Sequence, residues 1–129
     1  EQLKAFAKEK QLENVRFITM QPPEEVADLY ESADVNLIPL QKGLIYAALP
    51  SKTADCLIAG KPIVLCVDED SEFAKTLMDY GVHNVGTNHP ERLKEEIKRI
   101  KTDGKIFDYS EAVNTIFSKE KNVEQYCRI

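Results

Sequence analysis

The chain has 129 residues, 43% of them apolar, and a net charge of −5, which is the composition of an ordinary globular domain with one hydrophobic core. The negative charge argues against a nucleic-acid surface and against a basic membrane patch. No apolar run approaches the roughly 18 residues that cross a bilayer, and no signal peptide is visible. We therefore expect a cytoplasmic protein.

Three cysteines, Cys56, Cys66 and Cys127, are odd in number and widely spaced. Two of them fall inside apolar segments, which predicts reduced, buried thiols. The sequence starts with Glu1, directly in a helical pattern, and this indicates a piece of a larger protein.

The first forty residues alternate between helical and strand patterns. An amphipathic helix is predicted to end near Gln11, and residues 14–20 are predicted to form a strand. Pro23 then begins a helix, and residues 34–40 form the next strand. The inner positions of the two helices are Leu3, Phe6, Ala7, Val26, Leu29, Tyr30 and Ala33.

The stretch from Leu49 to Leu65 organises the chain. Ser51 is predicted to cap a helix with its hydroxyl, Gly60 to end that helix in the left-handed conformation, and Pro62 to prevent its continuation. Residues 63–67 are an unbroken apolar run, typical of a strand that is covered on both faces. The predicted apolar face of the helix consists of Ala54, Leu57 and Ile58.

Lys52 and Asp55 share the opposite side of this helix, three residues apart. A helix N-terminus beside a lysine attracts anions, phosphate above all. The alternative for Lys52 is a weak surface ion pair with Asp55. Asp55 is either a ligand of vicinal ribose hydroxyls or simply an acid near a helix N-terminus.

The remaining residues continue the alternation. The predicted features are a helix from Asp70 or Ser71 to Gly81, a short strand over residues 82–86, a charged helix from Pro90 and one or two closing helices. Helices that alternate with strands predict an α/β fold: a Rossmann-like parallel sheet with helices on both faces, in one domain over residues 1–129.

Pro-Ser-Lys at residues 50–52, the acid at Asp55 and Ala-Gly-Lys-Pro-Ile-Val at residues 59–64 resemble the donor-binding helix of retaining GT-B glycosyltransferases of the family 4 type. The Pro-Ser-Lys variant is typical of bacterial envelope enzymes. Weaker similarity to the C-terminal domain of that family extends over nearly the whole chain. Ala47 stands where the family's common pattern has a second glutamate near the donor sugar.

The resemblance implies that the chain is the nucleotide-sugar-binding, Rossmann-like C-terminal domain of a GT-B enzyme. Such an enzyme would be a hexosyltransferase in polysaccharide biosynthesis, peripheral at the inner membrane face. The donor would be a nucleotide-diphosphate sugar, with UDP-sugars first, and neither a cofactor nor a metal is implied. The family's first strand, its basic pair and its N-terminal acceptor domain would precede Glu1, so we expect the fragment alone to be inactive. Because the first strand is central in a 3-2-1-4-5-6 sheet, the sheet either closes that gap or exposes edges that pair with another chain, giving a homo-oligomer.

The candidate site follows from the helix start, from the resemblance and from the rule that open α/β sheets bind ligands at the carboxyl ends of their strands. Gly43, in the loop of residues 41–49, could let the backbone approach the donor sugar, and an ordinary turn glycine is the alternative. No residue is predicted to be catalytic, and no zinc spacing or Walker-type loop is found. The predicted donor-binding residues are Ser51, Lys52, Asp55, Ile18, Thr19, Gln21 and Gly43.

Two other functions fit the same pattern of elements. One is a non-catalytic flavodoxin-like or receiver-like α/β module, which is disfavoured because no acidic pair ends the first predicted strand. The other is a sugar-nucleotide epimerase of GT-B architecture, whose distinguishing residues would mostly lie outside this chain.

Overall fold

A computed structural model describes residues 1–46 and 50–118. Ala47 and the predicted helical positions Val123, Tyr126 and Cys127 lie outside the described residues. The chain forms helices α1 (Gln2–Glu9) and α2 (Pro23–Glu31), strand β1 (Asn36–Pro39), a 3₁₀ turn (Leu44–Tyr46), α3 (Lys52–Ile58), β2 (Ile63–Cys66), α4 (Glu72–Asp79), β3 (His83–Asn84), α5 (Pro90–Asp103) and α6 (Ser110–Ile116).

The three strands form a parallel sheet in the order β1-β2-β3. Asn36 lies opposite Ile63 in the register of β1 and β2, and Val64 lies opposite His83 in that of β2 and β3. Pro39 has no N–H to donate, which an edge strand such as β1 tolerates. The prediction of a Rossmann-like α/β fold is therefore confirmed.

Strand β2 is buried on both faces, as its continuous apolar run predicts. Ile63 and Leu65 belong to the main core, which also contains Leu57 of α3, Leu77 of α4 and Ala112 of α6. Val64 belongs to a second core cluster with Ile100 of α5. Helices α3, α4 and α6 thus cover one face of the sheet, and α5 covers the other.

Residues 14–20 do not form a strand, so this prediction is wrong. The segment has neither helix nor strand structure, and the exposed fractions of Val15, Phe17, Ile18 and Met20 are 42, 43, 60 and 98%. A strand needs a neighbour for its backbone hydrogen bonds, and no strand in the described part of the chain borders this segment. The central strand β2 already has β1 and β3 as its two neighbours.

The buried face of α3 also differs from the prediction. Thr53, Cys56 and Leu57 are buried, whereas Ile58 is 65% exposed. Positions 53, 56, 57 and 60 follow the i, i+3, i+4, i+7 spacing of one helix face, and Gly60 ends it at a φ of +64°. The prediction assigned Ala54 and Ile58 to the buried face because both are apolar. Apolarity alone therefore identified the wrong face of the helix.

Most other helix predictions are confirmed. Ser71 caps α4, since its Oγ accepts from the backbone N–H of Ala74 at 3.3 Å, and Gly81 follows that helix at a φ of +87°. Ile100 is buried on α5. The first two helices are less buried than predicted: Ala7 is buried in α1, but Leu3 and Phe6 are exposed, and α2 has no fully buried residue.

A polar contact between His83 and Glu96 joins β3 to α5. His83 Nδ1 lies 2.5 Å from Glu96 Oε1, and Arg99 Nη2 donates to the same oxygen at 2.6 Å. The hydrogen bond from Arg99 is the largest cause that lowers the pKa of Glu96. Burial lowers the pKa of His83, although the Glu96 carboxylate opposes that effect.

We expect these two groups to make the protein less stable in acid. A lowered pKa in the folded state means that the unfolded chain binds the proton more readily, so stability that is present near neutral pH is lost as the pH falls. Glu96→Gln should lower the free energy of unfolding at about pH 7 by about 1 kcal/mol and flatten its decline toward about pH 4. Urea unfolding at both pH values measures this. Glu91→Gln, at a more exposed pair, is the control, and an equal loss in both variants would contradict the expectation.

Candidate functional site

The loops that follow the three strands meet at one edge of the sheet, because all three strands are parallel. We call this the carboxyl edge and define it as residues 40–46, 67–71 and 85–89. Open α/β sheets bind their ligands at such an edge. Helix α3 begins at the same edge, since it starts the return from the end of β1 to the beginning of β2.

Asp68 lies at the centre of the carboxyl edge, two residues after β2. Its side chain is 7% exposed, and its Oδ2 accepts from the backbone N–H of Gly43 at 2.6 Å. Its Oδ1 accepts from the hydroxyl of Thr87 at 3.5 Å. One carboxylate therefore contacts the loops after β1 and after β3.

A second contact joins the loops after β1 and after β2 at the surface. The Tyr46 hydroxyl donates to Asp70 Oδ1 at 2.5 Å. This hydrogen bond is the main cause that raises the pKa of Tyr46 to about 12 and also lowers the pKa of Asp70, with Lys75 and Lys42 adding to the latter effect. The pair is thus a neutral phenol and an ionised carboxylate throughout the physiological pH range.

Asn84 organises the loop after β3. Its Oδ1 accepts from the backbone N–H of Val67 at 3.3 Å and from that of Gly86 at 3.2 Å. Gly86 has a φ of +80°, and a Cβ there would approach Glu69 Oε1 to 2.9 Å. Glu69 in turn pairs with Arg92 of α5. The loops after β2 and β3 are therefore held together by several side chains.

Ser51 does not cap α3, so this prediction is wrong. Ser51 itself has helical backbone angles, φ −57° and ψ −30°, and its side chain accepts no capping hydrogen bond. The N–H of Thr53 donates instead to the carbonyl of Pro50 at 3.1 Å. A capping residue needs an extended backbone to direct its hydroxyl at the free N–H groups, and Ser51 lacks that geometry. Its side chain is exposed at the carboxyl edge.

Lys52 is the first residue of α3, and its side chain is exposed. Among residues 1–46 and 50–118, no carboxylate lies within 4.0 Å of its ammonium group, so the alternative of a surface ion pair with Asp55 is not realised. Thr53 beside it is fully buried, and its hydroxyl has no hydrogen-bond partner among the described residues. Within the same part of the chain, the exposed Lys52 ammonium is open to an anion.

Asp55 faces helix α2. It lines a cleft of about 190 Å³ together with Pro23, Val26, Glu31 and other residues of α2 and α3. The predicted ligands Ile18, Thr19 and Gln21 immediately precede α2, but they do not follow a strand as predicted, because residues 14–20 form none. The Gln21 amide donates to the carbonyl of Thr19 at 2.8 Å. The structure thus brings Gly43, Ser51 and Lys52 to the carboxyl edge and leaves residues 18–21 as an exposed connection.

Another cleft beside α3 lies away from this edge. It has a volume of about 310 Å³ and includes Gly60, Phe107 and Tyr109, which places it where α3 ends.

Burial raises the pKa of the Cys56 thiol to about 11 and also raises that of Cys66. Both thiols are free, as predicted, and their raised pKa makes them poor nucleophiles.

The described residues contain neither a cluster of metal-ligating side chains nor a membrane-spanning helix. No three His, Cys, Asp or Glu side chains in residues 1–46 and 50–118 are grouped so that they could hold a metal ion. No helix within these ranges is long and apolar enough to cross a membrane.

Comparison of the chain with protein-family models, with curated proteins and with solved structures gives no match. The assignment of function therefore depends on the site and on the sequence resemblance. Sequence reasoning missed the residues that tie the carboxyl edge together, Asp68, Asn84, Tyr46 and Thr87. The available signal was the position of Asp68 directly after a predicted buried strand.

Proposed function

We propose that the chain is the donor-binding domain of a retaining bacterial glycosyltransferase that acts in envelope polysaccharide biosynthesis. The observation that carries the proposal is the position of Lys52, which is exposed at the start of α3 and has no carboxylate partner within the described residues, on the carboxyl edge of a parallel α/β sheet. The loop, helix, left-handed glycine and buried strand at residues 50–66 support it further, because they follow the order of the family's donor-binding segment.

The chemistry of the edge suits a nucleotide-diphosphate sugar. The ammonium of Lys52 would neutralise part of the diphosphate charge, which helps the nucleotide to depart as the leaving group. The Asp55 carboxylate could accept hydrogen bonds from two ribose hydroxyls. The backbone of residues 41–46 would face the sugar.

The acidic loop after β2 helps to orient this ligand. Asp68, Glu69 and Asp70 are consecutive at the carboxyl edge. Their negative charge repels phosphate, and the exposed carboxylates of Glu69 and Asp70 favour the hydroxyl groups of a sugar, which donate to carboxylates. A diphosphate sugar would therefore lie with its phosphates toward Lys52 and its sugar toward residues 68–70. UDP-sugars are the first candidates by the resemblance.

Other parts of the proposal concern partners. The parent enzyme would contribute an N-terminal acceptor domain, a basic pair and the family's first strand, and the described domain alone would be inactive. Pairing of the free edge of β1 with another chain stays a prediction. The receiver-like alternative is disfavoured by the burial of Asp68, whose oxygens are engaged by Gly43 and Thr87 and are not open to a phosphoryl donor.

A nucleotide titration followed by NMR tests the proposal. UDP, GDP and ADP are added separately, and we expect one of them to shift the amide signals of Gly43, Ser51, Lys52 and Asp55. Lys52→Ala should weaken the binding of that nucleotide about tenfold, because it removes a charged hydrogen bond to phosphate. Lys98→Ala on the exposed side of α5 is the matched control and should bind normally.

The proposal fails if folded protein at high nucleotide concentration gives no shift at these residues. It also fails if Lys52→Ala and Lys98→Ala weaken binding equally, since that would indicate a general charge effect.

A further inference from the structure

Two hydrogen bonds join the loop of residues 41–46 to the loop after β2. Gly43 donates its N–H to Asp68 Oδ2 at 2.6 Å in a partly buried position. Three residues later, Tyr46 donates its hydroxyl to Asp70 Oδ1 at 2.5 Å at the surface. Between them, Ile45 is 4% exposed. Two hydrogen bonds to carboxylates and one buried side chain therefore hold a short loop over the end of β1.

We infer that Asp68 is a positioning residue, which sets the place of the loop of residues 41–46 relative to the rest of the carboxyl edge. The geometry carries this inference, and its consequence for ligand binding rests on the proposed function. Asp68 does not itself need to touch the ligand. It fixes the backbone of Gly43, which the proposed function brings against the sugar.

The burial of Asp68 makes its two side-chain hydrogen bonds important. A buried polar group must be hydrogen-bonded, and a buried charge is costly unless its partners satisfy it. Within the described part of the chain no cation pairs with Asp68, so the N–H of Gly43 and the hydroxyl of Thr87 are its observed side-chain partners. A hydrogen bond from an N–H to a carboxylate is about twice as strong as a neutral one.

The same carboxylate connects three loops. Gly43 follows β1, Asp68 follows β2 and Thr87 follows β3. One side chain, which directly follows the central strand, therefore contacts the other two loops and sets the distances between all three. Gly43 contributes the conformation that the contact requires, since its φ is +81° and a side chain would be strained there.

Asp70 and Tyr46 make a weaker, outer contact. Tyr46 is 63% exposed, and a hydrogen bond that competes with water contributes less than a buried one. The two contacts should therefore differ in strength, with Asp68 holding the loop and Asp70 restricting only its far end.

Amide hydrogen exchange of Gly43, followed by NMR in the whole chain, tests the inference. Asp68→Ala should raise the exchange rate of Gly43 about tenfold to hundredfold, the factor that corresponds to a hydrogen bond to a charged acceptor. Asp68→Asn keeps the shape and one oxygen acceptor and should raise it less. Tyr46→Phe should leave Gly43 nearly unchanged. Asp79→Asn on α4 is the control, and the amide of Val64 in the core reports global unfolding.

The binding of UDP, GDP and ADP to the same variants separates this inference from the proposed function. If a nucleotide binds the wild-type chain, Asp68→Asn should weaken the binding of that nucleotide severalfold, although Lys52 is intact in the variant. If no nucleotide binds but Gly43 loses protection in Asp68→Asn, the proposed function fails and the positioning role stands. Unchanged exchange of Gly43 in a folded Asp68→Asn chain would overturn the inference, whatever the nucleotides do.

Discussion

Leu57→Ala is expected to lower the free energy of unfolding by about 2–5 kcal/mol, the usual loss for a buried leucine. Leu57 is 2% exposed and belongs to the main core with β2 and α6. Its neighbour Ile58 is 65% exposed, so Ile58→Ala should cost less than about 1 kcal/mol, as exposed substitutions do. The two variants differ by one position and remove similar volumes, so each is the control for the other.

Urea unfolding followed by far-UV circular dichroism measures both losses. A domain of this size is stabilised by only about 5–15 kcal/mol, so Leu57→Ala should shift the midpoint strongly. Equal losses for the two variants would contradict the observed face of α3. They would favour instead the face predicted from apolarity, on which Leu57 and Ile58 are both internal.

Tyr109 provides the second large effect. Its side chain is 2% exposed within the main core, and its ring lies 6.0 Å from that of Phe107. Tyr109→Ala should therefore lower the free energy of unfolding by about 3–5 kcal/mol, as expected for a buried aromatic side chain. Among residues 1–46 and 50–118, the Tyr109 hydroxyl makes no hydrogen bond of normal geometry, although the backbone of Ile63 acts on its pKa against the effect of burial. Tyr109→Phe keeps the ring and should therefore change the free energy of unfolding by less than about 1 kcal/mol.

The same unfolding experiment distinguishes the ring from the hydroxyl. Burial raises the pKa of Tyr109 to about 12, so the hydroxyl is neutral in all ordinary buffers and the comparison does not depend on pH. Phe6→Ala, at a half-exposed aromatic position of α1, is the control and should cost less than Tyr109→Ala. A large loss in Tyr109→Phe would mean that the hydroxyl makes a stabilising contact.

The fold could be predicted from the sequence because its strongest signals are local. The run of residues 63–67 is apolar without interruption, and β2 is accordingly buried on both faces. Gly60 and Gly81 both have positive φ values at helix ends, as their positions after the helical patterns predict. Alternation of helix and strand then specifies a parallel sheet.

Two errors arose where residue types alone did not determine the backbone structure. Residues 14–20 have the β-branched and aromatic composition of a strand, but composition does not supply a neighbouring strand, so the segment stays unpaired. The serine at position 51 has the chemistry of a cap, but its helical backbone angles direct the first turn to the Pro50 carbonyl instead.

The candidate site was predictable only in part. Lys52 and Gly43 were identified from a helix start and a loop glycine, and both lie where the strands end. The role of Asp68 could not be predicted, because its partners Gly43 and Thr87 are 25 and 19 residues away in the chain. Contacts at such separations depend on the order of the strands, which a single sequence does not specify.

The order β1-β2-β3 has a consequence for where a deep crevice can form. Each of the two crossovers moves to the next strand in the same direction, and helices α3 and α4 accordingly lie on the same face of the sheet. In doubly wound sheets, the ligand crevice opens at the topological switch point, where two adjacent strands send their helices to opposite faces. Strand β3 differs, because the helix that follows it, α5, packs on the opposite face. The reversal in the described sheet therefore lies between β2 and β3, where Asp68 and Thr87 join the two loops at the carboxyl edge.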